Sequence, residues 1–98
     1  MIYKDADAGY YIGQFIDWHP HGKGALYYKN NTLLYEGDFV NGQFEGKGKL
    51  IDENGNYYVG EFLNGLKHGK GKEYYKDNTI KYEGNYFEGY MIDKELKK

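Results

Sequence analysis

An all-β fold, an elongated single-layer antiparallel sheet of stacked β-hairpins with open ends, is what this sequence predicts. Three observations carry that reading. The segment Tyr11-Ile12-Gly13-Gln14-Phe15 returns as Tyr35-Glu36-Gly37-Asp38-Phe39, Tyr58-Val59-Gly60-Glu61-Phe62 and Tyr82-Glu83-Gly84-Asn85-Tyr86, with lead tyrosines 24, 23 and 24 residues apart. Asn41-Gly42 and Asn64-Gly65 follow two of these segments at a fixed offset, and Gly-Lys-Gly follows at Gly22–Gly24, Gly46–Gly48 and Gly69–Gly71. A period of this size indicates a stack of similar units, each contacting its neighbours, and shifts the expected function from catalysis to binding.

Each unit opens with a strand. In an extended chain residues i, i+2 and i+4 share a face, so Tyr, Gly and the second aromatic point one way and mostly polar residues such as Glu36 and Asp38 point the other. A two-residue turn follows, because Asn-Gly tolerates the positive φ that a tight hairpin demands at both positions. Glu88-Gly89 holds this place in the last unit. Asp17-Trp18 holds it in the first, and with Trp18 where glycine is expected a differently shaped turn is predicted there. Gly-Lys-Gly then leads into a second strand: Ala25–Tyr28, Lys49–Asp52 and Lys72–Tyr75. The segments at 29–32, 53–56 and 76–79 read as the closing turns, and the one-residue change of period is assigned to them, since insertions cost least in loops. With ~4.8 Å between strands, each unit adds roughly 10 Å to the sheet.

One domain is expected over residues 1–98, with repeats at about 11–34, 35–57 and 58–81, a partial repeat at 82–92, a partial strand within 1–8 and a short tail at 93–98. Asp93–Lys98 reads as one helical turn capped by Asp93 and covering the end of the sheet.

Composition narrows the chemistry. There is no cysteine, serine or arginine, and all 13 basic residues are lysine. Disulfides, thiolate metal sites and the two commonest nucleophiles are thereby excluded. The planar fork that best grips phosphate or guanine is missing too. A formal net charge of −2 gives no overall bias toward nucleic acid. No apolar run reads as a signal peptide or a membrane span, which points to the cytoplasm and leaves the acceptor triplet Asn30-Asn31-Thr32 without weight. Thirteen tyrosines and 15 glycines stand against seven leucines, so aromatic packing must supply much of the stabilisation.

The pattern resembles the MORN (membrane occupation and recognition nexus) repeat family, whose unit of about two dozen residues reads Tyr-x-Gly-x-aromatic, a glycine turn, then Gly-Lys-Gly-x-aromatic. The resemblance spans Tyr11 to Gly89, with departures at Trp18 and at Glu73, where an apolar residue is expected. It implies a hairpin stack acting as a scaffold or dimerisation module. It also implies, for some members, links to membranes and phosphoinositides, or attachment to kinases and methyltransferases.

Four candidate sites follow. The aromatic face, Tyr11, Phe15, Tyr35, Phe39, Tyr58, Phe62, Tyr82 and Tyr86, packs as a thin core or, in a one-layer sheet, stays partly open to a partner; Phe packed with Tyr edges accessible satisfies both. Lys23, Lys47 and Lys70 form a row that could meet anionic lipid at about 1 kcal/mol each, ~3 kcal/mol in all, although neighbouring Glu36, Asp38, Glu45 and Glu61 cancel much of that field. His19, His21 and His68 do not make a metal site: His21 and His68 fall two repeats, roughly 20 Å, apart, and two ligands are too few for zinc. The carboxylates repeat instead of converging, and the Gly-Lys-Gly triplets lack the rest of a phosphate loop. The sequence thus predicts a non-enzymatic module with no cofactor that binds a protein or peptide and self-associates through the aromatic face or the open sheet ends. The alternatives are a peripheral adaptor for anionic membrane and the recognition arm of a larger enzyme.

Overall fold

A computed structural model of the chain describes residues 8–92. Eight strands, β1 (Ala8–Ile16), β2 (His19–Tyr28), β3 (Leu33–Val40), β4 (Gln43–Ile51), β5 (Tyr57–Leu63), β6 (Leu66–Tyr74), β7 (Ile80–Phe87) and β8 (Tyr90–Met91), form one sheet in chain order, every neighbouring pair antiparallel. The molecule measures 46 × 25 × 20 Å. The stacked-hairpin sheet expected from the repeat is therefore the fold. The partial strand expected within 1–8, apart from Ala8, which opens β1, and the helical turn at 93–98 lie outside the described residues.

The hairpin turns hold a uniform shape, including the one expected to differ. Both central residues have positive φ at Asp17-Trp18 (52° and 69°), Asn41-Gly42 (51° and 84°), Asn64-Gly65 (54° and 86°) and Glu88-Gly89 (49° and 94°). The right-handed twist of the flanking strands requires this turn type, and the requirement overrides the preference of Trp18. Left-handed backbone at a bulky residue costs about 1–2 kcal/mol, and the Trp18 side chain is 91% exposed with no burial to offset it.

The closing turns are also uniform, which corrects the placement of the extra residue. Tyr28 N–H donates to Thr32 O, Asp52 N–H to Asn56 O and Tyr75 N–H to Thr79 O, at 2.8–2.9 Å, each over four residues. The period changes instead at the start of the next strand. Leu34 and Lys81 are extra there, marked by register shifts at Leu26/Tyr27 and Glu73/Tyr74, whereas the β4–β5 pairing has none. A hydrogen-bonded turn of fixed length cannot absorb an insertion; a β-bulge can. At Leu34 the bulge turns the side chain into the core.

Gly-Lys-Gly has two local causes. Its first glycine sits in a bulge of the second strand with φ of 93°, 66° and 90° at Gly22, Gly46 and Gly69, and the bulge frees the lysine N–H to bond the first strand: Lys23 to Gln14 Oε1 at 2.8 Å, Lys47 to Asp38 Oδ2 at 3.4 Å. Its second glycine joins a ladder in which glycine opposes glycine across six successive strand pairs: Gly13, Gly24, Gly37, Gly48, Gly60, Gly71, Gly84. In the first three repeats a lead tyrosine lies over the first-strand glycine and its partner: Tyr11 over Gly13 and Gly24, Tyr35 over Gly37 and Gly48, Tyr58 over Gly60 and Gly71. Its hydroxyl donates to its own strand's backbone, Tyr11 to Gln14 O, Tyr35 to Asp38 O and Tyr58 to Glu61 O, at 2.7–2.9 Å.

The core is thus a row of rings on one face of the sheet. Tyr11 meets Phe39, Tyr35 meets Phe62 and Tyr58 meets Tyr86 edge to face at 5.0–5.3 Å, linking each repeat to the next. Phe44 stacks on Tyr35 at 3.8 Å. Tyr35 is fully buried at 0% exposure. A flat one-layer sheet cannot do this; the sheet must coil about the rings, as its right-handed twist permits.

Candidate functional site

The aromatic face is the first expectation to be revised. Tyr11, Tyr35, Phe39, Tyr58, Phe62 and Tyr86 are buried, and the tyrosines expected to keep accessible edges are as buried as the phenylalanines because the glycines beneath let their rings lie flat. Burial pushes the Tyr58 pKa up to about 12, against which the hydrogen bond to Glu61 O acts only in part. Tyr82 is half-buried, and its Oη has no hydrogen-bond partner among the described residues; Asn85 O, the acceptor at the equivalent place, receives Ile92 N–H at 3.1 Å. Only Phe15, at 51%, is exposed. It lies on the edge strand β1, and no hairpin precedes it among the described residues.

The third repeat carries a polar layer in this core. By register Lys67, Glu73 and Tyr86 occupy the places of Phe44, Leu50 and Phe62 one repeat earlier. Lys67 Nζ donates to Glu73 Oε2 at 3.0 Å, and Tyr86 Oη donates to the same oxygen at 2.7 Å. Lys67 Nζ also stands 5.0 Å from the centre of the Tyr58 ring. The departure at Glu73 is thereby explained: Lys67 departs with it. Burial raises the pKa of Glu73, but the hydrogen bonds from Tyr86 and Lys67 and the charges of Lys67 and Lys81 outweigh it and leave the carboxyl below its ordinary range. A depressed pKa in the folded state stabilises above the unfolded value of about 4.3 and ceases to as pH falls through the folded value.

Removing one member of the pair should cost less than the ~3–5 kcal/mol of a fully buried one, since Lys67 keeps 27% side-chain exposure and Glu73 13%. Glu73→Leu is expected to lose about 2 kcal/mol. Lys67→Phe/Glu73→Leu/Tyr86→Phe, which rebuilds the layer of the second repeat, should recover that loss, exceed wild type by ~1 kcal/mol and reduce the acid-side dependence by the share Glu73 contributes. Urea denaturation at pH 7 and pH 3.5 checks it; a triple variant no more stable than Glu73→Leu would refute the account.

The opposite face carries a groove of about 930 Å³. Its floor is the bare backbone of Gly48, Gly60, Gly71 and Gly84, whose missing side chains would have pointed into the core. The residues flanking these glycines stand up on either side. One wall holds Lys49, Val59, Lys72 and Glu83, the other Lys47, Glu61, Lys70 and Asn85. Tyr74 borders it, stacked on Tyr57 at 4.8 Å, with Lys49 Nζ 4.6 Å from the centre of the Tyr57 ring. Spanning β3 to β7, it crosses five strands, roughly 20 Å.

The lysine row expected from the repeat is present but not uniform. Lys47 and Lys70 line the groove. Lys23 lies beyond it, bound to Asp38 at 2.7 Å. Lys72 pairs with Glu83 at 3.8 Å, and among the described residues Lys47 and Lys70 make no ion pair. The histidines brace turns: His21 Nδ1 and His68 Nδ1 accept N–H from Asn41 and Glu88 at 3.4 and 3.3 Å, as the Glu45 carboxylate does for Asn64 at 3.0 Å. Sequence reading missed the groove, with Val59 and Tyr74 among its lining residues. The available signal was the pair of side chains flanking each Tyr-x-Gly-x-aromatic glycine, which becomes a wall only once the register is known.

A family model described as MORN repeat matches residues 11–33, 35–57 and 58–80. Separately, a 46-residue stretch is 44% identical to part of a Plasmodium berghei protein named "Inactive protein tyrosine kinase pTKL", a stretch that is 46% of this chain and 3% of that protein. The chain therefore spans a small fraction of that relative's length. The glycine ladder, the tyrosines laid over it and three consecutive matches covering more than half of the residues agree: the chain belongs to the MORN repeat family.

Proposed function

We propose that this chain is a non-catalytic interaction module that holds an extended segment of another protein in the polar-face groove. The glycine-floored lane between two walls of side chains supports this most directly. Its ~20 Å length matches about six residues of extended chain. Lys47 and Lys70, two strands and ~10 Å apart on one wall, suit acidic residues on the side of the bound segment that faces that wall. Self-association through the sheet ends belongs to the same reading. So does service as the recognition arm of a larger protein, which the likeness to a short part of a kinase-named relative supports. A cytoplasmic site of action, or one at the surface of a membrane or cytoskeletal structure, fits this role.

Affinity capture from lysate, comparing wild type with Lys47→Glu/Lys70→Glu, tests it. Both side chains project from the sheet away from the core, so the variant should keep the wild-type unfolding midpoint and lose the captured protein. Equal recovery by both would end the groove assignment. Phosphoinositide membrane is the second reading, favoured by Lys47 and Lys70, which make no ion pair among the described residues. It requires co-sedimentation with phosphoinositide vesicles that weakens steeply with salt.

A further inference from the structure

We infer that the segment held in the groove carries a phosphorylated residue, its phosphate set over Gly60 among Lys47, Lys49, Lys70 and Lys72. Resting on the reading of the groove as the binding site, this names the chemical class of its central ligand. The four lysines come from two matching stretches, Lys47-Gly48-Lys49 on β4 and Lys70-Gly71-Lys72 on β6, all lining the groove. Gly60 of β5 pairs with Gly48 on one side and Gly71 on the other. Residues two apart on a strand lie roughly 6–7 Å apart, and β4 and β6 lie roughly 10 Å apart. The lysines thus stand at the corners of a frame whose middle is bare backbone, since a Cβ at Gly48, Gly60 or Gly71 would point to the Tyr35 or Tyr58 ring on the core side. Val59 leaves this frame short of carboxylates. The position after the lead tyrosine holds Glu36 in the second repeat, opposite Lys49, and Glu83 in the fourth, 3.8 Å from Lys72. Between those two lysines on β5 it holds the exposed Val59.

Among the described residues Glu61 is the one carboxylate on β5 within the frame. Lys49 Nζ rests 4.6 Å from the centre of the Tyr57 ring, a contact that positions the charge without neutralising it. A phosphate suits the frame better than an Asp or Glu side chain does. It brings about −1.5 to −2 charge and three acceptor oxygens to one point, and lysine binds it as a point charge where arginine is absent. The surroundings of the frame favour a phosphate on a protein segment over a membrane. Glu36 stands at the β3 end of the groove and Glu83 at the β7 end. A flat anionic surface would cover the whole lining at once, where four lysines face three glutamates and opposite charges within a Debye length of ~8 Å cancel. A compact anion over Gly60 lies nearer the four lysines than the two end glutamates.

Heteronuclear NMR titration of the 98-residue chain tests the assignment. The probes are a blocked five-residue peptide of glycine and alanine with a central phosphoserine, the same peptide with serine or glutamate there, and inorganic phosphate. The phosphopeptide is expected to shift the Gly48, Gly60 and Gly71 amides and to bind at least tenfold more tightly than the other three. Val59→Glu, which installs the residue type of the second and fourth repeats, should keep the unfolding midpoint and weaken the phosphopeptide at least tenfold. Glu61→Gln, which installs the residue type that Gln14 supplies in the first repeat, should strengthen it about threefold. No shift of these glycines, equal binding of the glutamate peptide or of inorganic phosphate, or a Val59→Glu variant that binds like wild type overturns the assignment. So does binding to phosphatidylserine vesicles in preference to the phosphopeptide, which would give the lysines to a membrane. Capture repeated after phosphatase treatment of the lysate separates the two ideas: a protein still captured by wild type and lost with Lys47→Glu/Lys70→Glu keeps the groove and removes phosphate from it.

Discussion

Tyr35→Ala is expected to lower the stability of this chain by about 4 kcal/mol, and Tyr58→Ala by nearly as much. Removing a buried aromatic side chain costs ~3–5 kcal/mol when the walls cannot collapse, and these sites cannot. Tyr35 lies at the junction of three rings, Phe39 and Phe62 at its edges and Phe44 on its face. Its ring also covers Gly37 and Gly48, which have no side chains to fill the space it leaves. The lost hydroxyl was the donor to Asp38 O at 2.9 Å, so the deletion removes a bridge to the backbone as well. Domains of this size have roughly 5–15 kcal/mol in total. Either single variant should therefore shift the urea midpoint by a large fraction of its value, and Tyr35→Ala/Tyr58→Ala should be unfolded at room temperature. A loss under 1.5 kcal/mol in Tyr35→Ala would mean that the ring row is not the core. The double variant would lose any partner by unfolding, so binding is better examined through Lys47 and Lys70, which can change without touching the rings.

The burial of these tyrosines marks where sequence reading stopped. Period and spacing suffice for the hairpin stack, because Tyr, Gly and aromatic at i, i+2 and i+4 dictate one face of a strand wherever they occur. They do not say how tightly the sheet coils. A nearly flat sheet leaves the tyrosine edges open; this one closes around them, and that choice depends on glycine facing glycine across strands. Trp18 failed for a related reason: its own preference opposes a left-handed turn, but the twist of two paired strands outweighs one residue. Glu73 was visible as an anomaly at once. Lys67 was not, since six residues separate them and only the bulge at Gly69 and Lys70 brings the two side chains together. The groove was hidden in the same way. Its floor is an absence of side chains, and its walls come from five strands.

Gly60→Ala separates the two reasons the glycine ladder could exist. If the glycines serve the groove, a methyl on the core side should be tolerated; if they serve the packing, it should not. A Cβ at Gly60 would lie 2.5 Å from Tyr58 Oη, 2.6 Å from Gly71 Cα and 2.7 Å from Lys70 O. Two of the three obstacles are backbone of the paired strand, so relief requires β5 and β6 to separate or the Tyr58 ring to leave its bed, and each breaks contacts that join one repeat to the next. Overpacking of this kind costs about 3 kcal/mol, the upper end of the usual range. Gly65 supplies the control. A Cβ there meets nothing within 4 Å, and only its φ of 86° resists substitution, which should cost about 1 kcal/mol. Thermal and urea unfolding of the two variants side by side should rank Gly60→Ala well below Gly65→Ala. Equal losses would show that the ladder is set by backbone conformation alone. The expected ranking means that the groove arises from the packing: tyrosines bedded on one side of a glycine row leave a bare lane on the other, and the proposed binding surface comes with the fold.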